Sequence, residues 1–214
     1  MQPVYPNLYQ FSTYIPPLDF TIHQYLLCTD PAVLFASGTM QQAEQIVPQV
    51  QEILAGRPLG YIFVSHMESD ECGGLAVFLR AYPAVTVVCS PLCARELPGF
   101  GYTGRILTGA PDTPLRNGAL DLRFIRYPAE VHLQDGLVCF EQNSGIFYSA
   151  DLMQRRGNGC GQVMPGRWQD EVTAIGPDRV PDGARLRALQ QSLLTIQPAF
   201  VAVGHGFCVA CSET

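Results

Sequence analysis

The sequence has no lysine: all 13 basic residues among its 214 are arginine. A Walker lysine, a Schiff-base lysine and a serine–lysine dyad are therefore excluded. No run approaches the ~18–20 uninterrupted apolar residues of a membrane-spanning helix. There is no Asn-x-Ser/Thr glycosylation site and no Gly-x-Ser-x-Gly, the turn that presents a serine nucleophile. Charge is scarce, at 15% of residues, and the formal balance is −6, which argues against a broad nucleic-acid-binding face. The segment Met1–Gln10 has neither a basic start nor a long apolar stretch, so it does not read as a secretory leader. The expectation is a cytoplasmic protein with most of its eight cysteines reduced, and with neither a nucleic acid nor a membrane as partner. Histidine is also scarce, at four residues: His23, His66, His132 and His205.

What is present suits one domain over 1–214. Short apolar runs rich in Val, Ile, Phe and Tyr predict strands over Leu8–Tyr14, Phe20–Cys28, Val33–Ala36, Tyr61–Ser65, Val85–Cys89, Arg105–Leu107, Leu120–Arg126, Leu137–Glu141, Ile146–Ser149 and Phe200–Val203. Helices are predicted over Gln41–Ala55, Cys72–Ala81, Pro91–Glu96 and Gly183–Leu194. In the first, Ala43, Ile46, Val47, Val50 and Leu54 form one apolar stripe, and Pro48 predicts a kink or break near Val47. Strands first and helices interleaved later imply a layered α/β (α+β) architecture. The stretch Gln154–Asp182 holds five glycines, three prolines and the only tryptophan, Trp168; it reads as a long irregular connection, a kind that is uncommon unless functional or mobile.

The chemistry concentrates at strand ends. In Val64-Ser-His66-Met-Glu68-Ser-Asp70-Glu71-Cys-Gly-Gly an apolar strand ends in four metal-capable side chains. Carboxylates so close together repel unless a cation lies between them. Three further runs end the same way: Val131-His132-Leu-Gln-Asp135, Phe147-Tyr-Ser-Ala-Asp151 and Val203-Gly-His205-Gly. A lone strand-end histidine or aspartate is usually a structural residue; the ordered set of three histidines and four acids points to one shared metal pocket.

These four ordered motifs resemble the metallo-β-lactamase fold, an αββα sandwich, and specifically its flavodiiron branch, where glutamate stands in the second place of the first motif. The hydrolase branch typically carries histidine there. The resemblance spans nearly the whole chain. It implies that His66, Glu68 and His132 bind one iron, that Asp70 and His205 bind the second, and that Asp151 bridges them. Two iron ions are thus the implied cofactor, with manganese or zinc as alternatives; a mixed imidazole and carboxylate set suits the harder metals. The implied small ligand is O2 or NO. The family usually has histidine where this chain has Glu71, which leaves Glu71 as a ligand of the second metal, a neighbour of the ligands, or a solvent-facing residue. Flavodiiron proteins also carry a flavodoxin-like FMN domain after this one, and no such segment follows within the 214 residues. The expectation is that this chain binds no flavin and relies on an external electron donor or a signalling partner. It also resembles the flavin-free oxygen-binding diiron proteins of bacterial chemotaxis, which sense. A homodimer is compatible with these readings. The alternative reading is a dimetal hydrolase of the same superfamily.

Three residues stand beside this set. His23 is a candidate proton donor or ligand neighbour, against the plainer reading of a hydrogen-bonded strand histidine. Tyr25 carries the same two readings. Asp135 is expected to orient a ligand through a hydrogen bond. Two motifs are set aside. Gly99-Phe-Gly101-Tyr-Thr-Gly104 matches the dinucleotide pattern but lacks the preceding strand and following helix. Cys208-Val-Ala-Cys211 is a single Cys-x-x-Cys with no second pair.

Overall fold

A computed structural model describes residues 3–128 and 135–212. Two β-sheets face each other. The first is built from β1 (Leu8–Ile15), β2 (Phe20–Leu27), β3 (Ala32–Phe35), β4 (Leu59–Phe63), β5 (Thr86–Cys89) and β6 (Arg105–Thr108), in that spatial order. The pairs β1–β2 and β2–β3 are antiparallel, and β3 to β6 run parallel. The second contains β7 (Leu115–Asn117), β8 (Leu120–Tyr127), β9 (Gly136–Glu141), β10 (Ile146–Ala150), β11 (Val163–Gly166), β12 (Phe200–Val203) and β13 (Cys208–Cys211), in the order β11-β13-β12-β10-β9-β8-β7.

The strand period of two sorts the core. Tyr25, Val33, Phe35, Phe63 and Val88 face the second sheet, where the aromatic rings meet Phe124 and Tyr148. Their neighbours Leu26, Leu34, Ile62, Val87 and Cys89 face outward onto helices. Those helices are α1 (Met40–Leu54), α2 (Ser69–Cys72), α3 (Leu75–Ala81) and α4 (Pro91–Glu96). The outer face of the second sheet is covered by α5 (Trp168–Thr173) and α6 (Gly183–Leu193). This is the expected αββα sandwich. The predicted strands and helices are present, with ends shifted by one or two residues in most cases.

Three expectations need correction. Pro48 does not break α1, which runs through it. Its side faces solvent, so the carbonyl that loses its N–H partner can bond to water. The helix expected over Cys72–Ala81 is two helices, parted at Gly73–Gly74. A Cβ on Gly74 would lie 2.5 Å from both the Ala43 Cβ and the Ser37 carbonyl oxygen, so only glycine lets this turn press against α1. The stretch Gln154–Asp182 is not irregular throughout, for it contains β11 and α5.

Trp168 explains that order. Its ring lies 5.1 Å from Phe147, edge to face, and its Nε1–H donates to the Leu193 carbonyl at 3.1 Å. It pins the stretch to the second sheet. Trp168→Ala should cost roughly 3–5 kcal/mol, read as a lower urea midpoint by far-UV circular dichroism; an unchanged midpoint would show the stretch to be a passive connection.

Candidate metal centre

The strands that carry the expected ligands end on one rim. β10 and β12 pair in parallel, with Ala150 opposite Val203, so the residues that follow, Asp151 and His205, emerge side by side. β10 carries a bulge between Tyr148 and Ala150, and Ala150 takes a left-handed φ of 44°. The extra residue, Ser149, turns Asp151 onto the side that Tyr148 faces. β4 delivers Val64 to His66 to the same rim. There the Leu137 N–H donates to the Ser65 carbonyl at 2.9 Å, which ties the two sheets together beside the site.

The donor atoms converge. His66 Nε2 lies 3.6 Å from Glu68 Oε2 and 3.7 Å from Asp151 Oδ2. His205 Nε2 lies 3.1 Å from Asp151 Oδ1 and 3.5 Å from Asp70 Oδ2. Asp151 therefore presents one oxygen to each histidine. Among the described residues, His66, Glu68 and Asp151 are the group whose donor atoms all lie within 4.8 Å of one another. Neighbouring donors on one ion stand about 3 Å apart when each is ~2.1 Å from it, so these separations fit ligands around a cation. His132 lies outside the described residues.

His205 is oriented from behind. Its Nδ1 sits 3.0 Å from the Thr21 carbonyl, an acceptor, so Nδ1 carries the proton and Nε2 is left for a metal. Phe20 stacks on the ring at 4.3 Å. The Thr21 hydroxyl donates to the Gly157 carbonyl and accepts from the Gly159 N–H. Gly159 is indispensable there: a Cβ would stand 1.9 Å from the Gly206 carbonyl oxygen. Gly159→Ala should cost about 2 kcal/mol, as overpacking does, in chemical denaturation; no loss would show that the His205 loop has room to shift.

The other expected residues take different places. His23 is buried, with Nε2 2.7 Å from the Gly206 carbonyl and Nδ1 2.8 Å from the Ser12 hydroxyl. Nε2 must be the donor and Nδ1 the acceptor. Burial, aided by the charge of His205 and opposed by the Gly206 bond, lowers His23 to about 4. It is a neutral strut for the His205 loop, the plainer of its two readings. Tyr25 donates to the Val203 carbonyl at 2.7 Å and contacts Cys208 Sγ, again behind that loop. Asp135 accepts the Leu92 N–H at 2.8 Å, capping the first turn of α4. Glu71 turns into the core. Its Oε1 accepts the Tyr148 hydroxyl at 2.5 Å and its Oε2 the Ser65 N–H at 3.0 Å. Its solvent-facing reading is thereby excluded. Cys208 and Cys211, three apart on β13, point to opposite faces, so they do not form a chelating pair.

The residues missed were Thr21, Ser65 and Tyr148. Thr21 shares the inward face of β2 with His23 and Tyr25, and that alternation was the available signal.

Charge follows geometry. Burial alone would lower His66, but the Glu68 hydrogen bond and the charges of Glu71, Asp151 and Glu68 lift it to about 9. His205 is raised as well: burial is outweighed by Asp151 and Asp70. Burial lifts Glu71 to about 7, opposed by the His66 charge and the Tyr148 bond. Burial raises Asp70, whereas Asp151, despite burial, is held below its ordinary value by His205 and His66. A histidine whose pKa is raised on folding stabilises fully below its unfolded value and loses that contribution as pH climbs through the folded value. The metal-free chain should therefore lose on the order of 3 kcal/mol between about pH 6.5 and 9.5 through His66. His66→Gln should flatten that slope in urea titrations; an unchanged slope would refute the pairing.

The fold is a metallo-β-lactamase-like sandwich of the kind seen in flavodiiron cores, with histidines and carboxylates gathered on its rim. The family model described as ODP family beta lactamase matches residues 20–165, and the chain belongs to that family. The match runs through His66 to Asp151 and ends before His205. Among curated relatives, "Diflavin flavoprotein A 1" of Synechocystis is 24% identical over 134 residues, 62% of this chain and 23% of that protein. "Putative diflavin flavoprotein A 2" of the same organism is 23% identical over 193 residues, 87% of this chain and 33% of that one. The chain thus spans about a quarter to a third of the curated relatives it matches. Among solved structures, rubredoxin oxygen:oxidoreductase from Desulfovibrio gigas superposes with a TM-score of 0.79 at 15% identity, over 98% of this chain and 57% of that one. The flavodiiron protein from Giardia intestinalis gives 0.76 at 16% identity, over 96% and 54%. At these identities the superpositions speak for the fold. No helix among the described residues is long and apolar enough to cross a membrane.

Proposed function

We propose that the chain is a non-haem dimetal domain, diiron in its working form, that binds O2 or NO and exchanges electrons with a separate donor. The observation that carries this reading is Asp151, whose two oxygens each face a different histidine. His66, Glu68 and Asp151, with His132 by its place in the sequence, would hold one iron; Asp70, Asp151 and His205 would hold the other. Iron there would supply a redox-active Lewis acid with exchangeable positions for a diatomic ligand. The chain's own residues orient and shield. Thr21 fixes the His205 tautomer, Phe20 covers its ring, and Tyr127 stands edge-on to His66 at 6.4 Å.

Glu71 is left out of this ligand set, because both its oxygens are engaged by Tyr148 and Ser65. The His205 side then has three donors, more widely spread than those on the His66 side. The two positions should fill unequally. Full-length protein purified without oxygen should hold iron near two per chain, one lost to chelator well before the other. Asp151→Ala should lose both, whereas Glu71→Gln should keep both. Zinc alone, with no spectral response of iron-loaded protein to O2 or NO, would overturn the reading in favour of a dimetal hydrolase. Because His66 and His205 bind protons without metal, affinity should also rise with pH between about 6 and 9.

A sensing role for the same site is supported by one contact. The Arg155 N–H donates to the His205 carbonyl at 3.0 Å, and the Arg155 side chain pairs with Glu171 of α5. A change at His205 has a direct route into the 154–182 stretch. Hydrogen exchange there should differ between the O2-exposed and O2-free iron protein; identical protection would leave catalysis as the role.

A further inference from the structure

Beside the candidate centre lies a cavity of about 570 Å³, into which His66 and Glu68 open. A diatomic gas would occupy a small fraction of it, whereas sites of ~300–1,000 Å³ are those of small organic ligands. Its walls come from the turn after β4, from α3 and from α4 with the turn that follows. Met67, Leu75, Cys93, Leu97, Phe100 and Tyr102 supply apolar and aromatic surface. Phe100 is 77% exposed, an aromatic ring left to solvent at the edge of an apolar cavity. The hydroxyl of Tyr102, itself 6% exposed, has no hydrogen-bond partner among the described residues. Met67 and Cys93 place their sulfurs 3.3 Å apart in the same wall, and sulfur favours the edges of aromatic rings.

The charge of the walls selects further. No arginine lines the cavity among the described residues, while Glu68, Glu96 and Asp135 do. The one basic group among the described lining residues, His66, is already matched by Glu68 and Asp151. An anion would meet those carboxylates with no unmatched cation among the described lining residues, so phosphorylated and carboxylated molecules are disfavoured. A neutral hydroxyl, by contrast, can donate to a carboxylate, a bond stronger than one between neutral groups.

We propose that this cavity is a binding site for a neutral aromatic alcohol of two or three fused rings, its ring system between Phe100, Leu97 and Met67 and its hydroxyl donating to Glu68. Glu68 is shared with the proposed iron site, so binding is tested on the metal-free chain, where the outcome does not depend on iron. The test is equilibrium dialysis of the full chain, stripped of metal by chelator, against 2-naphthol and 2-naphthoate, which share a ring system and differ in charge. The expected result is saturable one-to-one binding of 2-naphthol, with 2-naphthoate at least tenfold weaker. Ala76 is exposed on α3 and lines the cavity, so Ala76→Trp should fill it and weaken 2-naphthol binding at least tenfold. Phe100→Ala, at a residue too exposed to matter for folding, should weaken it about fivefold, as loss of one aromatic contact does. Unsaturable uptake, equal affinity for both probes, or 2-naphthol binding unchanged in Phe100→Ala would each overturn the proposal. Failure of the chain to take up iron would leave this result untouched.

Discussion

The structure turns on one carboxylate held between two imidazoles. Asp151 offers Oδ2 to His66 and Oδ1 to His205, and the three residues come from the ends of β10, β4 and β12. For them to meet, the two sheets must face each other with those ends on one rim and in one register. The cross-sheet bond from Leu137 to Ser65 and the parallel pairing of β10 with β12 secure that. Buried acids and histidines at such distances are costly singly and stabilising only as a set. Their opposed pKa directions, His66 and His205 up and Asp151 down, are the mark of that mutual dependence.

Around this set runs a layer of struts whose polar atoms are engaged with one another and with the backbone. His23, Tyr25, Thr21 and Ser12 hold the His205 loop through backbone carbonyls and hydroxyls. Glu71 and Tyr148 do the same for the His66 side. Glu71 is adjacent to Asp70 in sequence, yet a single helical turn at Ser69–Cys72 sends the two carboxylates different ways. Asp70 stays with His205, and Glu71 enters the core. Adjacency in sequence was no guide to the direction of a side chain.

Much of this was legible in the residues. The αββα layering followed from strand periodicity together with the resemblance, and the convergence of His66, Glu68, Asp70, Asp151 and His205 from four ordered strand-end motifs. What escaped was short, edge-bound or dependent on partners far away in the chain. β7 has three residues. β11 includes Pro165, which reads as a breaker yet is tolerated on an edge strand. α5 spans six residues, too few to display a helical period. The roles of His23 and Tyr25 depended on what stood opposite them: with His205 and Cys208 some 180 positions away, sequence could name the residues but not their neighbours. The split at Gly73–Gly74 needed the packing against Ala43 and Ser37 to be seen.

The bulge at Ser149 has a consequence for how such a site can be gained or lost. On a regular strand, Tyr148 and Asp151 would project to opposite faces. One supernumerary residue brings them to the same one, so that the strand supplies both the hydroxyl that occupies Glu71 and the carboxylate between the histidines. The centre is thus written in a reading frame of side chains as well as in their identities. Straightening the bulge with all its residues kept would leave every ligand type in the sequence, yet carry the bridging acid out to the helical layer; removing one residue would restore a regular strand with both side chains still on one face. In this strand the path of the backbone before the aspartate is as much a part of the centre as the aspartate itself.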